Sequence, residues 1–280
     1  MKKILVPTDF SPNAARAIDY AVRIAKLNKA TICIIHICDH LYPFTMESIS
    51  KEDYNQKITD DALENLEMIR KSIEETEQVA VSTQLYSGTV VDTIPGAAGE
   101  HKADLIIMGT LGITGIRDAI FGTNTAKVIS NSTVPVLAIP LEYDWSPPSK
   151  FLLAINHFDE VNDILDPVFD LAKVFKAEVR LTVFTDDDNP EASDFLVDEK
   201  GIKNAEEKLS KNYPGLKITT EHLAGHKFEE TINEYIDNKK IDILSMMTHK
   251  RTLLGSIFNK SLTRKMSYHS KVPILSIPVK

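Results

Sequence analysis

The sequence predicts an α/β fold built from two tandem domains, each with a five-stranded open parallel sheet. Two observations support this prediction: apolar runs alternate with amphipathic helical stretches, and the second half of the chain repeats motifs of the first. The length of 280 residues leaves room for two domains. A hydrophobic content of 43% and a charged content of 26% are typical of a globular protein, and the formal charge of −8 argues against a nucleic-acid binder.

The elements of the first copy follow in a regular order. Its strands are predicted near residues 3–8, 31–38, 79–87, 104–108 and 135–139. Ser11-Pro12 opens the first helix, with serine as the N-cap and proline at the first helical position. Residues 51–76 form a longer, acidic amphipathic helix. The second copy repeats this order, with strands near 151–156, 178–184, 216–223, 241–246 and 273–277.

The repeat itself is visible in short motifs at a nearly constant offset. Val134-Pro-Val-Leu-Ala-Ile-Pro140 returns as Val272-Pro-Ile-Leu-Ser-Ile-Pro278, and Gly88 is matched by Gly225. Pro147-Pro148 continues neither a helix nor a central strand, so the domains are placed at 1–142 and 150–280.

The last strand of each copy is apolar throughout and would form a sheet edge if left alone. An exposed apolar edge invites pairing with another strand. We therefore expect the two copies to pair with each other inside one chain, and a further homodimer stays open.

The cysteines and the N-terminus bear on the compartment. Cys33 and Cys38 fall in or beside one strand on opposite faces, which argues against a disulfide between them and predicts buried thiols. Pro7 and Asp9 interrupt the apolar N-terminus before it reaches a secretion-signal core. No run reaches the ~18 apolar residues of a membrane span. The expectation is a cytoplasmic protein that binds neither membrane nor nucleic acid.

A glycine-rich loop follows the fourth strand of the first copy. Gly109 and Gly112 have two residues between them, and nine more separate Gly112 from Gly122-Thr123. Glycines remove Cβ atoms where the backbone must approach a ligand, and the free N–H groups of the helix start near Thr123 suit phosphate. No Gly-Lys-Ser/Thr follows, so the pattern indicates a nucleotide site other than a P-loop.

These residues resemble the universal stress protein family, specifically its tandem two-domain members. The resemblance rests on the glycine pattern, on Leu5-Val-Pro-Thr-Asp-Phe-Ser11 and on Ile34-Ile-His-Ile37, and it covers nearly the whole chain. It implies a Rossmann-like, adenine nucleotide alpha hydrolase-like domain that holds ATP, or ADP or AMP, between the ends of the first and fourth strands. Whether Mg²⁺ accompanies the nucleotide stays open.

The resemblance implies roles for individual residues, at the strand ends where ligands bind in open α/β sheets. Asp9 would accept hydrogen bonds from the ribose or the adenine amino group; the alternative is an aspartate that caps the next helix. The adenine would lie between Pro7 and Ile37. Arg117 would contact a terminal phosphate, or is an ordinary exposed arginine. The candidate residues are Pro7, Thr8, Asp9, Ile37, Met108, Gly109, Gly112, Arg117, Gly122, Thr123 and Asn124.

The second copy departs from this pattern at the site. Met247 stands at Gly109, Lys250 at Gly112, Lys260-Ser261 at Gly122-Thr123, and a looser echo aligns His157 with Asp9. Each change adds bulk where backbone would contact phosphate. This half is therefore predicted not to bind ATP in the same way, and to serve in pairing or for a different ligand.

Catalytic signatures are missing from the sequence. Asp118 is the only carboxylate in the glycine loop, and the lysine expected beside it in a phosphoryl-transfer site is missing. His222 and His226 lack a clear third metal ligand. The favoured function is an ATP-binding regulatory or stress-response protein rather than an enzyme. The alternatives are a weak ATP-hydrolysing or nucleotidyl-transfer enzyme on the same fold, and a nucleotide-free scaffold.

Overall fold

A computed structural model describes residues 1–38, 50–110, 123–155, 163–186, 199–249 and 271–279. The strands of the first half are β1 (Lys3–Thr8), β2 (Thr31–Cys38), β3 (Val81–Ser87), β4 (Leu105–Gly109) and β5 (Val136–Ile139). Those of the second half are β6 (Lys150–Ile155), β7 (Glu178–Asp186), β8 (Ile218–Gly225), β9 (Ile243–His249) and β10 (Ile274–Val279).

Seven α-helices are described in these ranges. They are α1 (Pro12–Asn28), α2 (Lys51–Glu77), α3 (Val90–Glu100), α4 (Thr123–Asn131), α5 (Asp166–Phe175), α6 (Glu199–Asn212) and α7 (Phe228–Lys239). Ser11 caps α1 as predicted, because its Oγ accepts a hydrogen bond from the backbone N–H of Ala14 at 3.2 Å. None of the described helices is long and apolar enough to cross a bilayer.

The strands form one continuous sheet in the order β3-β2-β1-β4-β5-β10-β9-β6-β7-β8. Neighbouring strands within each half are parallel, which confirms the predicted tandem α/β fold. The halves meet at β5 and β10, which are antiparallel. At this junction Leu137 stands opposite Leu275, and both side chains are fully buried.

Two apolar layers cover the two faces of the sheet. One face, termed the α1 face, packs against α1, α2, α5 and α6, and the other, the α3 face, packs against α3, α4 and α7. Because side chains alternate along a strand, neighbouring residues of β1 serve different layers: Ile4 and Val6 belong to the α1 face and Leu5 to the α3 face.

The segment between the halves is held against both of them. The Trp145 ring packs edge-on against Tyr20 of α1, with 4.5 Å between centroids, and lies 6.0 Å from Phe175 of α5. The Arg23 guanidinium stands 5.1 Å from the centre of the same indole. The connecting segment is therefore a packed part of the structure.

Both cysteines are free and buried, as predicted. Burial raises the pKa of the Cys33 and Cys38 thiols, so the reactive thiolate is scarcer at neutral pH than for an exposed cysteine. We expect both thiols to react slowly with a disulfide reagent in the folded protein and rapidly in denaturant. Native reaction at the rate of a free cysteine would contradict this expectation.

Candidate functional site

The candidate site lies at the carboxyl ends of β1, β2 and β4. The strand order places β1 beside β4, and the chain runs from these two strands toward opposite edges of the first-half sheet. Such a reversal opens a crevice between the loops that follow the two strands, and in open α/β sheets this is where ligands bind.

A tight turn after β1 carries Asp9. Phe10 holds a left-handed φ of 61°, which is unfavourable for a bulky side chain. Two side chains fix this turn: the Thr8 hydroxyl accepts from the Phe10 N–H, and a carboxylate oxygen of Asp9 accepts from the Ser11 N–H, both at 3.0 Å. Asp9 thus supports the entry into α1, as in the capping alternative, and its role toward a nucleotide stays a prediction.

The turn also packs on the neighbouring strand. The rings of Phe10 and His36 lie 4.5 Å apart between centroids, and His36 Nδ1 donates to the Thr8 carbonyl oxygen at 2.8 Å. These contacts explain how the strained Phe10 backbone is held. Neither Phe10 nor His36 was a candidate from the sequence; their only signal there is membership of the strand-end motifs.

Three predicted residues are brought together on the α3 face: Pro7 of β1, Ile37 of β2 and Met108 of β4, termed the apolar strip. Pro7 follows Leu5 at a spacing of two along β1, which places both on the same face. Pro7 and Met108 are buried, whereas Ile37 is half-buried at the carboxyl end of its strand. The strip therefore leaves apolar surface open at the crevice.

Gly109, the last residue of β4, packs directly against the start of α1. A Cβ on Gly109 would lie 2.6 Å from Asn13 Cγ and 2.9 Å from the Asn13 carbonyl oxygen. The close approach of α1 therefore requires glycine here, without any ligand. The Gly109 carbonyl accepts from the Thr125 hydroxyl at 3.0 Å, which joins the end of β4 to α4.

The rest of the predicted glycine loop is outside the described residues. Gly112, Arg117 and Gly122 belong to it, and their roles stay predictions. Thr123 is the first residue of α4, and Asn124 in the first turn of that helix is exposed.

A sequence profile of the universal stress protein family matches this chain twice, over residues 1–140 and 149–278. The chain belongs to the universal stress protein family. A universal stress protein of Methanocaldococcus jannaschii is 34% identical over 140 residues, which span 49% of this chain and 81% of that protein. One from Synechocystis is 23% identical over 302 residues and aligns across 99% of both chains.

The fold of the whole chain also has a solved counterpart. The crystal structure of a universal stress protein from Archaeoglobus fulgidus superposes with a TM-score of 0.77 over 99% of this chain and 98% of that one. The sequences are 17% identical, so this likeness concerns the fold alone.

The second universal stress protein repeat aligns with the first through equivalent hydrogen bonds. An oxygen of Asp104 accepts from the Lys3 N–H at 3.0 Å, and one of Asp242 accepts from the Lys150 N–H at 2.9 Å. Lys150 is therefore the counterpart of Lys3, and β6 is the counterpart of β1. His157, which the sequence aligned with Asp9, lies outside the described residues, and that match stays a prediction.

Other sequence matches between the universal stress protein repeats hold in the structure. Val136 and Ile274 are equivalent positions of the repeated Val-Pro motif, and they pair with Ile106 and Leu244 respectively. Leu244 is therefore the counterpart of Ile106, and three residues further along the strand Met247 occupies the position of Gly109. The same pairing places Ala154, Phe184 and Met246 at the positions of the apolar strip. The second repeat thus keeps apolar side chains at the three positions of the apolar strip, and it has the bulkier Met247 at the position of Gly109.

The described residues of this universal stress protein do not form a recognisable metal-binding site. No cluster of three or more His, Cys, Asp or Glu side chains suited to a metal ion occurs among those residues. His222 lies within β8 and His226 just after it, and the described residues supply no third ligand for a metal there.

Proposed function

We propose that this protein is a stress-response regulator whose first half, residues 1–142, binds an adenine nucleotide: ATP, ADP or AMP. The observation that supports this most directly is the apolar strip beside Asp9, at the point where the strand order reverses. An apolar surface next to a carboxylate suits a nucleobase and its ribose, which present an aromatic face and hydrogen-bond donors.

The residues of the site fit such a ligand in two respects. Ile37 offers half-buried apolar surface at the mouth of the crevice. Next to Gly109, the Thr110 hydroxyl is fully buried and has no hydrogen-bond partner among the described residues. In this proposal the strip contacts the base, Asp9 accepts from the ribose or the amino group, and Gly112, Gly122, Thr123 and Asn124 hold phosphates.

The second half, residues 150–280, is assigned a different role. Met247 adds a side chain where Gly109 has none, and β10 pairs with β5 of the first half. We propose that this half stabilises the first through the paired strands and that any ligand of its own is not a nucleotide bound through a glycine loop.

Binding without efficient hydrolysis is proposed for the nucleotide site. Of the described residues at the crevice, Asp9 is the one carboxylate among the candidates, and it already accepts a hydrogen bond from the Ser11 N–H. The described part of the site does not form a Mg²⁺ cage, because it brings together no group of carboxylates suited to a cation. Sustained ATP turnover that is lost in Asp9→Asn would favour the enzymatic alternative instead.

The deciding experiment releases and identifies nucleotide from protein purified without added ligand. We expect near-stoichiometric adenine nucleotide in the native protein and almost none in Gly122→Lys, because lysine adds bulk where the backbone meets phosphate. Asn131→Lys, an exposed position at the end of α4, is the matched control and should keep its nucleotide.

Two results would contradict the proposal. Two nucleotides per chain would show that the second half also binds. No bound nucleotide, together with no binding of added ATP, would leave the scaffold alternative.

A further inference from the structure

A cavity of about 510 Å³ opens at the amino ends of the second-half strands. Four lysines line it: Lys150 at the start of β6, Lys173 and Lys176 at the end of α5, and Lys217 just before β8. The one carboxylate among its lining residues is Glu178, the first residue of β7. This site is termed the lysine cavity.

The single carboxylate does not balance these charges. Glu178 accepts from Lys217 Nζ at 2.8 Å and from Arg180 at 2.8 Å. Its hydrogen bond with Lys217, followed by that with Arg180, lowers the pKa of the Glu178 carboxyl and keeps it ionised. Lys217 and Arg180 therefore already share the single negative charge of Glu178, which leaves no carboxylate of the lining for the other three lysines.

Two of the other lysines, Lys150 and Lys173, contact neutral groups. Lys150 Nζ donates to the backbone carbonyl of Lys239 at 2.9 Å, and Lys173 Nζ stands 5.0 Å from the Tyr213 ring centre. Asp242, an acid next to this corner, accepts from the backbone N–H groups of Ser149 and Lys150. The lysine cavity thus carries a net positive charge on a protein whose formal charge is −8.

The corresponding corner of the first half arranges its charges differently. Lys29 and Lys176 are equivalent left-handed C-caps, of α1 and α5, and Lys26 corresponds to Lys173. Lys26 forms an ion pair with Glu77 at 2.7 Å.

Four charge differences separate the two corners. Strand pairing aligns Val81 with Ile218, so Pro214 replaces Glu77 and Lys217 replaces Ala80. It also aligns Lys3 with Lys150 and Thr31 with Glu178, so that Ser149 replaces Lys2. Each corner therefore has four lysines and one carboxylate, but in the second half the carboxylate pairs with Lys217 and not with the lysine at the helix end.

We propose that the lysine cavity binds a small oligophosphate of two or three linked phosphate groups. A lysine ammonium is a compact, strongly hydrated charge that suits phosphate oxygens and lacks the planar fork with which arginine recognises carboxylates. The volume is that of a small-molecule site. The acidic charge of the whole protein disfavours a long polyanion such as nucleic acid, whose phosphates would extend beyond the cavity.

The test is calorimetric titration of the full chain with inorganic tripolyphosphate. In Lys173→Gln/Lys176→Gln we expect the affinity to fall by about fivefold or more, and its dependence on salt to become shallower, because two charges are removed. Gln78 already adopts the left-handed C-cap conformation in α2 at φ 56°, so the backbone at position 176 tolerates glutamine.

The matched control is Lys26→Gln/Lys29→Gln, which removes the same charges from the corresponding corner of the first half and should leave the affinity unchanged. Unchanged affinity in the second-half variant would overturn the proposal. So would loss of tripolyphosphate binding in Gly122→Lys, which would assign the anion to the glycine loop. Tighter binding of a DNA duplex than of tripolyphosphate would also overturn it, in favour of a nucleic-acid surface.

Discussion

Gly109→Ala is expected to destabilise the protein by about 1–3 kcal/mol, the usual cost of overpacking a tight site. The new Cβ would meet both the side chain and the backbone carbonyl of Asn13, at 2.6 and 2.9 Å. The Asn13 carbonyl moves only if the start of α1 moves. Because Asp9 and Ser11 lead into that helix, the same shift should also weaken the nucleotide binding proposed above. Denaturant unfolding and nucleotide titration measure the two effects.

The control for this change is Gly96→Ala, in α3. A Cβ at Gly96 meets nothing within 4 Å, so alanine there should leave the protein as stable or stabilise it by up to about 1 kcal/mol. Asn13→Ala combined with Gly109→Ala should recover part of the loss, since the side-chain portion of the clash disappears. A Gly109→Ala protein as stable as the native one would show that α1 accommodates the Cβ freely.

Leu137→Ala and Leu275→Ala are each expected to lower the free energy of unfolding by about 2–5 kcal/mol, because each removes a fully buried side chain. The two leucines face each other across the antiparallel junction of β5 and β10. Their effects should therefore be coupled: the double variant departs from the sum by about 0.5–3 kcal/mol. Equilibrium denaturation of the four proteins in the cycle measures this difference.

Leu5→Ala provides the control for the coupling. Leu5 is equally buried but lies in β1, three strands from β10 and on the other face of the sheet. Combined with Leu275→Ala it should be additive within about 0.5 kcal/mol. Strict additivity of Leu137→Ala with Leu275→Ala would mean that the two halves do not stabilise each other through this pair.

Much of the fold follows from local signals in the sequence. The described strands lie within a few residues of their predicted positions, because buried strands are apolar runs bounded by turn residues. No helix was predicted for 90–100, however. Thr89 caps α3, with its hydroxyl accepting from the Asp92 N–H at 3.3 Å, but Pro95 and two glycines within the helix obscure its period.

The candidate site was less accessible to sequence reasoning than the fold. The shared face of Pro7, Ile37 and Met108 follows from strand alternation once the strand order is known. The left-handed backbone of Phe10 and the approach of Asn13 to Gly109 depend on contacts between distant elements, which no local pattern encodes.

The antiparallel junction of β5 and β10 lies within a single polypeptide. In a pair of separate identical chains, association would weaken on dilution, and any mutation would appear in both partners at once. A covalent pair has neither property: the partners stay together at any concentration, and each accumulates changes independently. Two differences of this kind are Met247 at the position equivalent to Gly109 and Pro214 at the position equivalent to Glu77. Two repeats in one chain can therefore differ from each other, whereas a dimer of identical chains is symmetric by necessity.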